Sequence, residues 1–202
     1  MSKNVFDILI VGVGGQGVLL ASEIISEVAM AAGLDVKKSE VHGMSQRGGV
    51  VSSHVKMAPK VYSPVIFHGH ADVLMSFEQA EGLRAIDWLK KDGVAIVSRT
   101  RLVPAIVTSS KEFSYPDDAV AELQSKLERV IPVEADLIAR ELGDPRVVNT
   151  ILIGVLSNHL SFTSQQWIEA IRKRVKAKFV EINLSAFERG RQIKLEKSTA
   201  AR

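Results

Sequence analysis

The sequence predicts an α/β fold, and three observations support this prediction. Short β-rich apolar segments alternate with segments in which apolar residues recur at helical spacing. A glycine-rich turn joins the first predicted strand to the first predicted helix. The final part of the chain carries only helical patterns. Together these features predict a Rossmann-like domain with a mostly parallel sheet, helices on both faces and a helical C-terminal portion.

The first predicted elements follow one another closely. Residues 5–15 form a β-rich apolar run that ends in glycines, which is typical of a buried strand. Residues 16–33 have the apolar spacing of a helix, with Gly33 suited to the position after its end. Residues 34–41 predict a second strand. Residues 50–57 alternate in polarity and predict a third strand that is half exposed or lies at the edge of the sheet.

The downstream pattern continues the alternation and then becomes helical. Residues 64–77 predict two short strands, residues 78–91 an amphipathic helix, and residues 92–98 a turn and a strand. Residues 115–130 predict a helix, because acidic residues lie near its start and basic residues near its end. A short strand, "VIPVEA", follows, and then helices are predicted over "VEADLIARELG", "RVVNTILIGVLSNHL", "SQQWIEAIRKRV" and "NLSAFERGRQI".

Length and composition favour one domain. The chain has 202 residues, of which 46% are hydrophobic, enough for a sizeable core. We predict a single domain over residues 1–193 and a basic tail over residues 194–202 that need not be ordered. The sequence has no run of about 18 apolar residues, so we predict no membrane span. The apolar start lacks a small-residue cleavage site, so we expect the cytoplasm as the compartment.

The absence of cysteine and the distribution of charge exclude several functions. The sequence contains no cysteine, so the chain has no disulfide, no cysteine-ligated iron–sulfur cluster and no thiol nucleophile. The net charge is +3, and the excess of positive charge lies largely in the last third of the chain. Because no aromatic residues interleave with these charges to stack bases, we expect a solvated helix face and no nucleic-acid partner.

Residues 12–17 read "GVGGQG" and match the pattern G-x-G-x-x-G between a strand and a helix. Glycines permit a tight turn, and the helix N-terminus that follows offers free N–H groups to an anion. The candidate ligand-facing residues here are Gly12, Gly14, Gly15, Gln16 and Gly17. Glu40 is a candidate for binding ribose hydroxyls. The motif alone leaves open a nicotinamide or flavin nucleotide, another phosphate-bearing ligand, or a turn that only packs helix against sheet.

A second loop, "HGMSQRGG", follows the second predicted strand. Its arginine offers a planar fork for a carboxylate or phosphate, and its histidine adds a further polar side chain. In a doubly wound fold both loops would border the same crevice. We therefore predict a site for an extended anionic ligand or a partner's active site; the alternative is a loop whose arginine makes only a local salt bridge. The candidate residues of this loop are His42, Gly43, Met44, Ser45, Gln46, Arg47, Gly48 and Gly49.

The other polar candidates carry less information. His68 and His70 share one face of a predicted strand, but no third ligand is evident, so we predict no metal site. We expect His54 to be structural, and Asn149 has the position of a helix cap. The sequence contains no serine–histidine–acid order and no carboxylate pair typical of a hydrolase. No catalytic residue is therefore assigned.

The two loops together carry a resemblance to a known family. Over about residues 5–193 the sequence resembles the gamma-type domain of the 2-oxoacid:ferredoxin oxidoreductases, in which a "GxGGQG" loop is followed by an "SQRGG" loop. "EVHGMSQRGG" is similar to the beta subunits of the indolepyruvate branch, whereas pyruvate-type gamma subunits tend to carry a proline–glutamate–arginine–arginine pattern there. The resemblance implies a subunit of an enzyme of aromatic amino-acid catabolism. That enzyme decarboxylates an arylpyruvate such as indolepyruvate, transfers the acyl group to coenzyme A and passes two electrons to ferredoxin.

The resemblance also implies that the cofactors are bound by a different subunit. Thiamine diphosphate, Mg²⁺ and iron–sulfur clusters belong to a large alpha subunit, ferredoxin is reached through the complex, and coenzyme A is a co-substrate. This chain would then be inactive alone and part of a hetero-oligomer, and we assign no cofactor to it by itself. Two alternatives stay open: a stand-alone NAD(P)- or flavin-binding oxidoreductase, and a ligand-free scaffolding module for a large subunit.

Overall fold

The computed structural model describes residues 5–43, 49–103 and 114–195. Over these ranges six strands form one sheet in the order β2-β3-β1-β4-β5-β6. The adjacent pairs β1–β4, β4–β5 and β5–β6 are parallel. Strand β3 is antiparallel to both β1 and β2. The predicted, mostly parallel sheet is therefore confirmed. The strands are β1 (Phe6–Val13), β2 (Asp35–His42), β3 (Val50–Ala58), β4 (Ala71–Ser76), β5 (Leu89–Ser98) and β6 (Val130–Val133).

The helices lie on both faces of the sheet, as predicted, and they dominate the C-terminal portion. One face packs against α1, α4, α5, α6 and α7, and the other against α2 and α3. None of the helices within the described ranges is both long and apolar enough to cross a membrane. The helices are α1 (Val18–Ala31), α2 (Gln79–Arg84), α3 (Ala119–Lys126), α4 (Ala135–Leu142), α5 (Val148–Ser157), α6 (Ser164–Arg174) and α7 (Val180–Arg191).

Strand β3 lies inside the sheet, and β2 forms that edge. Of the two alternatives predicted for this strand, the edge position is wrong and the half-exposed strand is confirmed. β3 returns antiparallel from β2 and inserts between β2 and β1. Its residues Val51, Val55 and Met57 are buried in the same core as α1, whereas Ser52 and Lys56, which point to the other face, are half-buried. Alternation of apolar and polar residues indicates that one face of a strand is covered more fully than the other. It does not distinguish a strand inside the sheet from a strand at its edge.

Two predicted elements are shorter than their sequence patterns. Helix α2 ends at Arg84, and a 3-10 turn at Ile86–Trp88 leads directly into β5. Leu89 is buried and pairs with β4, so strand pairing replaces the last predicted helical turn. Only β4 forms within residues 64–77, because the Ile66 N–H donates to the His54 side chain at 3.2 Å and not to a neighbouring strand.

Helices α5 and α7 cross at a pair of glycines. A Cβ on Gly154 would lie 2.2 Å from the Phe187 carbonyl oxygen, and a Cβ on Gly190 would lie 2.0 Å from the Ile151 carbonyl oxygen. No side chain fits at either position, so the two backbones pack directly against each other. This crossing helps to place the N-terminus of α5, which borders the site described below.

Candidate functional site

The glycine-rich loop turns from β1 into α1 with two residues in the left-handed region. Gly15 has φ of 98° and Gly17 has φ of 84°, a conformation that strongly favours glycine. Gly17 has a second constraint, because a Cβ there would lie 2.9 Å from Nδ2 of Asn149. The loop conformation and the close approach of α5 therefore depend on the same glycine.

Gln16 holds this loop in place through its side-chain amide. Its Oε1 accepts from the Val13 N–H at 2.7 Å, and its Nε2 donates to the Phe77 carbonyl at 2.9 Å. Gly12 leaves room for this amide, since a Cβ there would lie 2.9 Å from Gln16 Oε1. The predicted ligand-facing glutamine thus uses its amide to join the ends of β1 and β4, although the residue still lines the cleft described below.

The second loop returns to the first at the same end of the sheet. The Gly14 N–H donates to the Gly49 carbonyl at 3.0 Å, and the Gly43 N–H donates to the Val50 carbonyl at 2.7 Å. His42 is exposed as the last residue of β2. The other residues predicted for this loop, Met44, Ser45, Gln46, Arg47 and Gly48, lie outside the described residues, so their role stays a prediction.

A cleft of about 490 Å³ opens beside the glycine-rich loop at the carboxyl ends of the parallel strands. Such crevices are where open α/β sheets bind ligands. Its wall combines the start of α1, the segment after β5, and the first turns of α4 and α5. The lining residues are Gly15, Gln16, Gly17, Leu20, Thr100, Arg101, Leu102, Asp136, Pro145, Arg146, Val148 and Asn149.

Two helix N-termini make the cleft favourable for an anion. Helix α1 begins at Val18 and helix α5 at Val148, and their N-cap residues, Gly17 and Val147, make no side-chain capping hydrogen bond. Their first-turn N–H groups and helix dipoles carry partial positive charge. Both helices have ten or more residues, and both N-termini lie at the wall of the cleft.

Asn149 supplies a further donor to this wall. Only 3% of the residue is exposed, and its Oδ1 accepts from the Thr150 N–H at 2.8 Å. Its Nδ2 lies beside Gly17 and has no acceptor among the described residues. The residue is not the helix cap that the sequence predicts, because α5 begins one residue earlier and its N-cap is Val147. An asparagine in the first turn of an otherwise almost wholly apolar helix was the available sequence signal.

A buried polar chain fixes the orientation of that amide. The Thr150 hydroxyl donates to Asn183 Oδ1 at 2.6 Å, and Asn183 Nδ2 donates to the Phe179 carbonyl at 2.8 Å. The Thr150 side chain and N–H are thereby held against the acceptor side of Asn149. The donor side of Asn149 is left facing the glycine-rich loop.

The two arginines of the cleft differ in their partners. Arg146 forms a fork with Asp144, with Nε 2.8 Å and NH2 2.5 Å from the two carboxylate oxygens. This hydrogen-bonded pair lowers the pKa of Asp144 to about 2. Arg101 lies with its guanidinium carbon 4.7 Å from the centre of the Tyr115 ring. Among the described residues no carboxylate oxygen lies within 4.0 Å of a side-chain nitrogen of Arg101.

Among the described residues, no histidine lines this cleft. His54 is buried and accepts a backbone N–H through Nδ1, and burial lowers its pKa, so its predicted structural role is confirmed. His68 stacks on Trp88 with ring centres 4.0 Å apart. Across the described ranges, no three or more histidine, cysteine, aspartate or glutamate side chains are grouped so that they could hold a metal ion.

Fold and site together define a doubly wound α/β domain with an anion-favouring cleft at the carboxyl ends of its strands. Residues 7–193 match the family model described as pyruvate ferredoxin/flavodoxin oxidoreductase. The chain belongs to this family, which confirms the family predicted from the two loops.

Curated relatives match along nearly their whole length. The chain is 41% identical to the indolepyruvate oxidoreductase subunit IorB of Archaeoglobus fulgidus, over 91% of this chain and 92% of that protein. It is 37% identical to the subunit of the same name from Thermococcus kodakarensis, over 92% and 94%. The chain is therefore homologous to subunits of an indolepyruvate oxidoreductase.

Solved structures share the fold. The gamma subunit of a keto/oxoacid ferredoxin oxidoreductase from Geobacter sulfurreducens has a TM-score of 0.69 at 22% identity, over 94% of this chain and 95% of that one. A 2-oxoglutarate:ferredoxin oxidoreductase from Magnetococcus marinus has a TM-score of 0.75 at 19% identity. It covers 99% of this chain, which corresponds to 33% of the longer one.

Proposed function

We propose that this chain is the small subunit of a ferredoxin-dependent 2-oxoacid oxidoreductase whose substrate is an arylpyruvate, with indolepyruvate as the first candidate. The observation that carries the proposal is the end-to-end similarity to IorB subunits, at 37–41% identity over more than nine-tenths of both chains. The reaction releases CO₂ from the 2-oxoacid and joins the acyl group to the thiol sulfur of coenzyme A. Two electrons pass to ferredoxin and one proton is released.

In this proposal the partner subunit carries the redox cofactors. The sequence has no cysteine, and cysteine thiolates are the usual ligands of iron–sulfur clusters. Thiamine diphosphate, Mg²⁺ and the clusters then belong to a large subunit, and this chain acts only within the complex. The cytoplasm is the compartment that we propose for it.

The cleft would bind an anionic part of a substrate. Two helix N-termini, the Nδ2 of Asn149, which has no acceptor among the described residues, and the guanidinium of Arg101 meet at its wall, and all of them favour negative charge. Coenzyme A, with its phosphate groups, and the 2-oxoacid, with its carboxylate, are the two anionic substrates of the reaction. The second loop, with Arg47, would complete this surface.

The stand-alone dinucleotide-binding alternative is less well supported by the sheet order. In the dinucleotide fold the acidic residue that binds the ribose follows the strand next to β1. Here β3 separates β2 from β1, which places β2 about 10 Å from β1. The Glu40 carboxylate is also engaged, with Oε1 2.9 Å from Lys38 Nζ and 3.4 Å from Ser22 Oγ.

Reconstitution with the large subunit tests the proposal. We expect the isolated chain to reduce no ferredoxin, and the reconstituted complex to reduce it with indolepyruvate and coenzyme A faster than with pyruvate or 2-oxoglutarate. A complex that prefers pyruvate would overturn the substrate assignment. A large subunit that is fully active alone would support the scaffold alternative. Tight binding of NAD or a flavin by the isolated chain would support the dinucleotide alternative.

A further inference from the structure

A buried carboxylate stands directly behind the cleft. Glu78 follows β4 and only 1% of it is exposed. Its Oε1 accepts from the Leu102 N–H at 3.2 Å and from the Tyr115 hydroxyl, and its Oε2 accepts from the Glu81 N–H at 3.0 Å. Within the part of the chain that the structure describes, no cationic nitrogen lies within 4.0 Å of this carboxylate.

These hydrogen bonds hold two separate stretches of chain beside Arg101. Leu102 is the next residue after it, and Tyr115 lies beneath its guanidinium at 4.7 Å from the ring centre. Tyr115 is 9% exposed. Burial, followed by the hydrogen bond to Glu78, raises the pKa of Tyr115 above its ordinary value. The phenol therefore stays protonated near neutral pH and remains a hydrogen-bond donor to Glu78.

The charge of Arg101 is the more available of the two cations in the cleft. The guanidinium of Arg146 is engaged by Asp144 and lies 4.3 Å from the centre of the Phe179 ring. Arg101 has an aromatic face on one side and lines the cleft, with no carboxylate partner among the described residues. A planar guanidinium held on an aromatic ring keeps its donors free for a planar or tetrahedral anion.

We propose that Arg101 is the cation that recognises the anionic ligand of the cleft, and that Glu78 and Tyr115 are positioning residues that hold it there. The inference rests on the proposed function, since it assigns a specific residue to the anion contact. Arginine has many rotamers, and an arginine already held in place loses less freedom when its ligand binds. The buried carboxylate acts on the ligand only through Tyr115 and the Leu102 N–H.

A double-mutant cycle in the reconstituted complex tests this assignment. The variants are Arg101→Ala, Tyr115→Phe and their combination, with KM for coenzyme A and for the 2-oxoacid measured separately. We expect Arg101→Ala to raise one of the two KM values about 10- to 100-fold, the usual effect of losing a charge-assisted contact. Tyr115→Phe keeps the ring but removes the hydroxyl, and we expect it to raise the same KM about three- to tenfold.

Non-additivity separates positioning from general destabilisation. If Tyr115 acts through Arg101, the combined variant has the KM of Arg101→Ala alone, and kcat at saturation is little changed. Multiplicative effects of the two changes would overturn the positioning role. Tyr62→Phe, at a tyrosine that is 89% exposed, and Arg129→Ala, at a half-buried arginine whose NH1 donates to the Asp92 carbonyl, are matched controls that should leave both KM values unchanged.

Asn149→Ala distinguishes failure of the inference from failure of the proposed function. If Asn149→Ala raises a KM and Arg101→Ala does not, the cleft binds the anion and our assignment of Arg101 is wrong. If neither variant changes either KM, the cleft is not the anion site, and both the proposed contact and this inference are wrong.

Discussion

Gly14 donates its backbone N–H to the backbone carbonyl of Gly49 at 3.0 Å, so the two glycine-rich loops meet directly. The contact has a simple origin in the sheet. Val13 at the end of β1 lies opposite Val50 at the start of β3, and β3 returns from the second loop. The loop that follows β1 and the loop that precedes β3 must therefore emerge side by side.

Gly17→Ala should weaken ligand binding as well as stability. A side chain at φ of 84° costs about 1–2 kcal/mol, and the new Cβ would press on Asn149 Nδ2 at 2.9 Å. Gly33→Ala is the matched control, because Gly33 has φ of 82° with nothing within 4 Å of its Cβ position. Chemical denaturation should give both variants a stability loss, and steady-state kinetics should give only Gly17→Ala a raised KM. Equal KM values in the two variants would contradict this view of the loop.

Asn149→Asp should impair binding more than Asn149→Ala does. Alanine removes the Nδ2 donor, whereas aspartate replaces it with an oxygen that repels an anion. We expect about a tenfold rise in KM for Asn149→Ala and a larger rise for Asn149→Asp. Thermal unfolding of both variants controls for the buried Thr150–Asn183 contact, which stands behind this residue. Tighter binding by the aspartate variant would point to a cationic ligand.

Gly154→Ala should strongly destabilise the domain. Its Cβ would lie 2.2 Å from the Phe187 carbonyl oxygen, which belongs to the backbone of α7 and cannot rotate away. We expect a loss of about 3 kcal/mol or more, or roughly 6 °C or more in Tm for a chain of this size. Gly143→Ala is the comparison variant: it has φ of 88° with nothing within 4 Å of its Cβ position, so it carries only the cost of a left-handed backbone, about 1–2 kcal/mol. A Tm as high as that of the control would show that the helices separate easily.

Glu27 should give the domain an acid-sensitive contribution to stability. Hydrogen bonds from Lys173 and then Arg174 lower its pKa below the ordinary 4.5, and its carboxylate joins α1 to α6. A lowered folded pKa means that this stability is present above pH 4.5 and is lost as the pH falls through the folded value. Glu27→Gln should therefore be less stable than the wild type at pH 7, and the difference should shrink below pH 4.5. A difference that does not change with pH would exclude this ion pair as its source.

Much of the fold could be predicted from local patterns. Hydrophobic spacing identified β1, α1 and the C-terminal helices, because each buries one face or stripe against the sheet. The placement of β3 between β2 and β1 could not be predicted, since alternation does not encode which strands pair. The early end of α2 also depends on a distant contact, the pairing of β5 with β4.

Only part of the site could be predicted from the sequence. The glycine pattern predicted the tight turn and the rim shared by the two loops. Asn149, Glu78 and Tyr115 were not recognised as site residues, because the fold brings Asn149 to the cleft, and Glu78 and Tyr115 to the lining residues Leu102 and Arg101, from distant segments. Gln16 was predicted to face a ligand, and only the structure reveals that its amide is bound by Val13 and Phe77.

Purification of this chain, tagged in its native host and without oxygen, followed by an assay of the eluate, tests the proposed function most directly. We expect a co-purifying large, cysteine-rich subunit and reduction of ferredoxin that requires both indolepyruvate and coenzyme A. Elution of the chain by itself with bound NAD or flavin, or an eluate inactive toward every arylpyruvate, would contradict it.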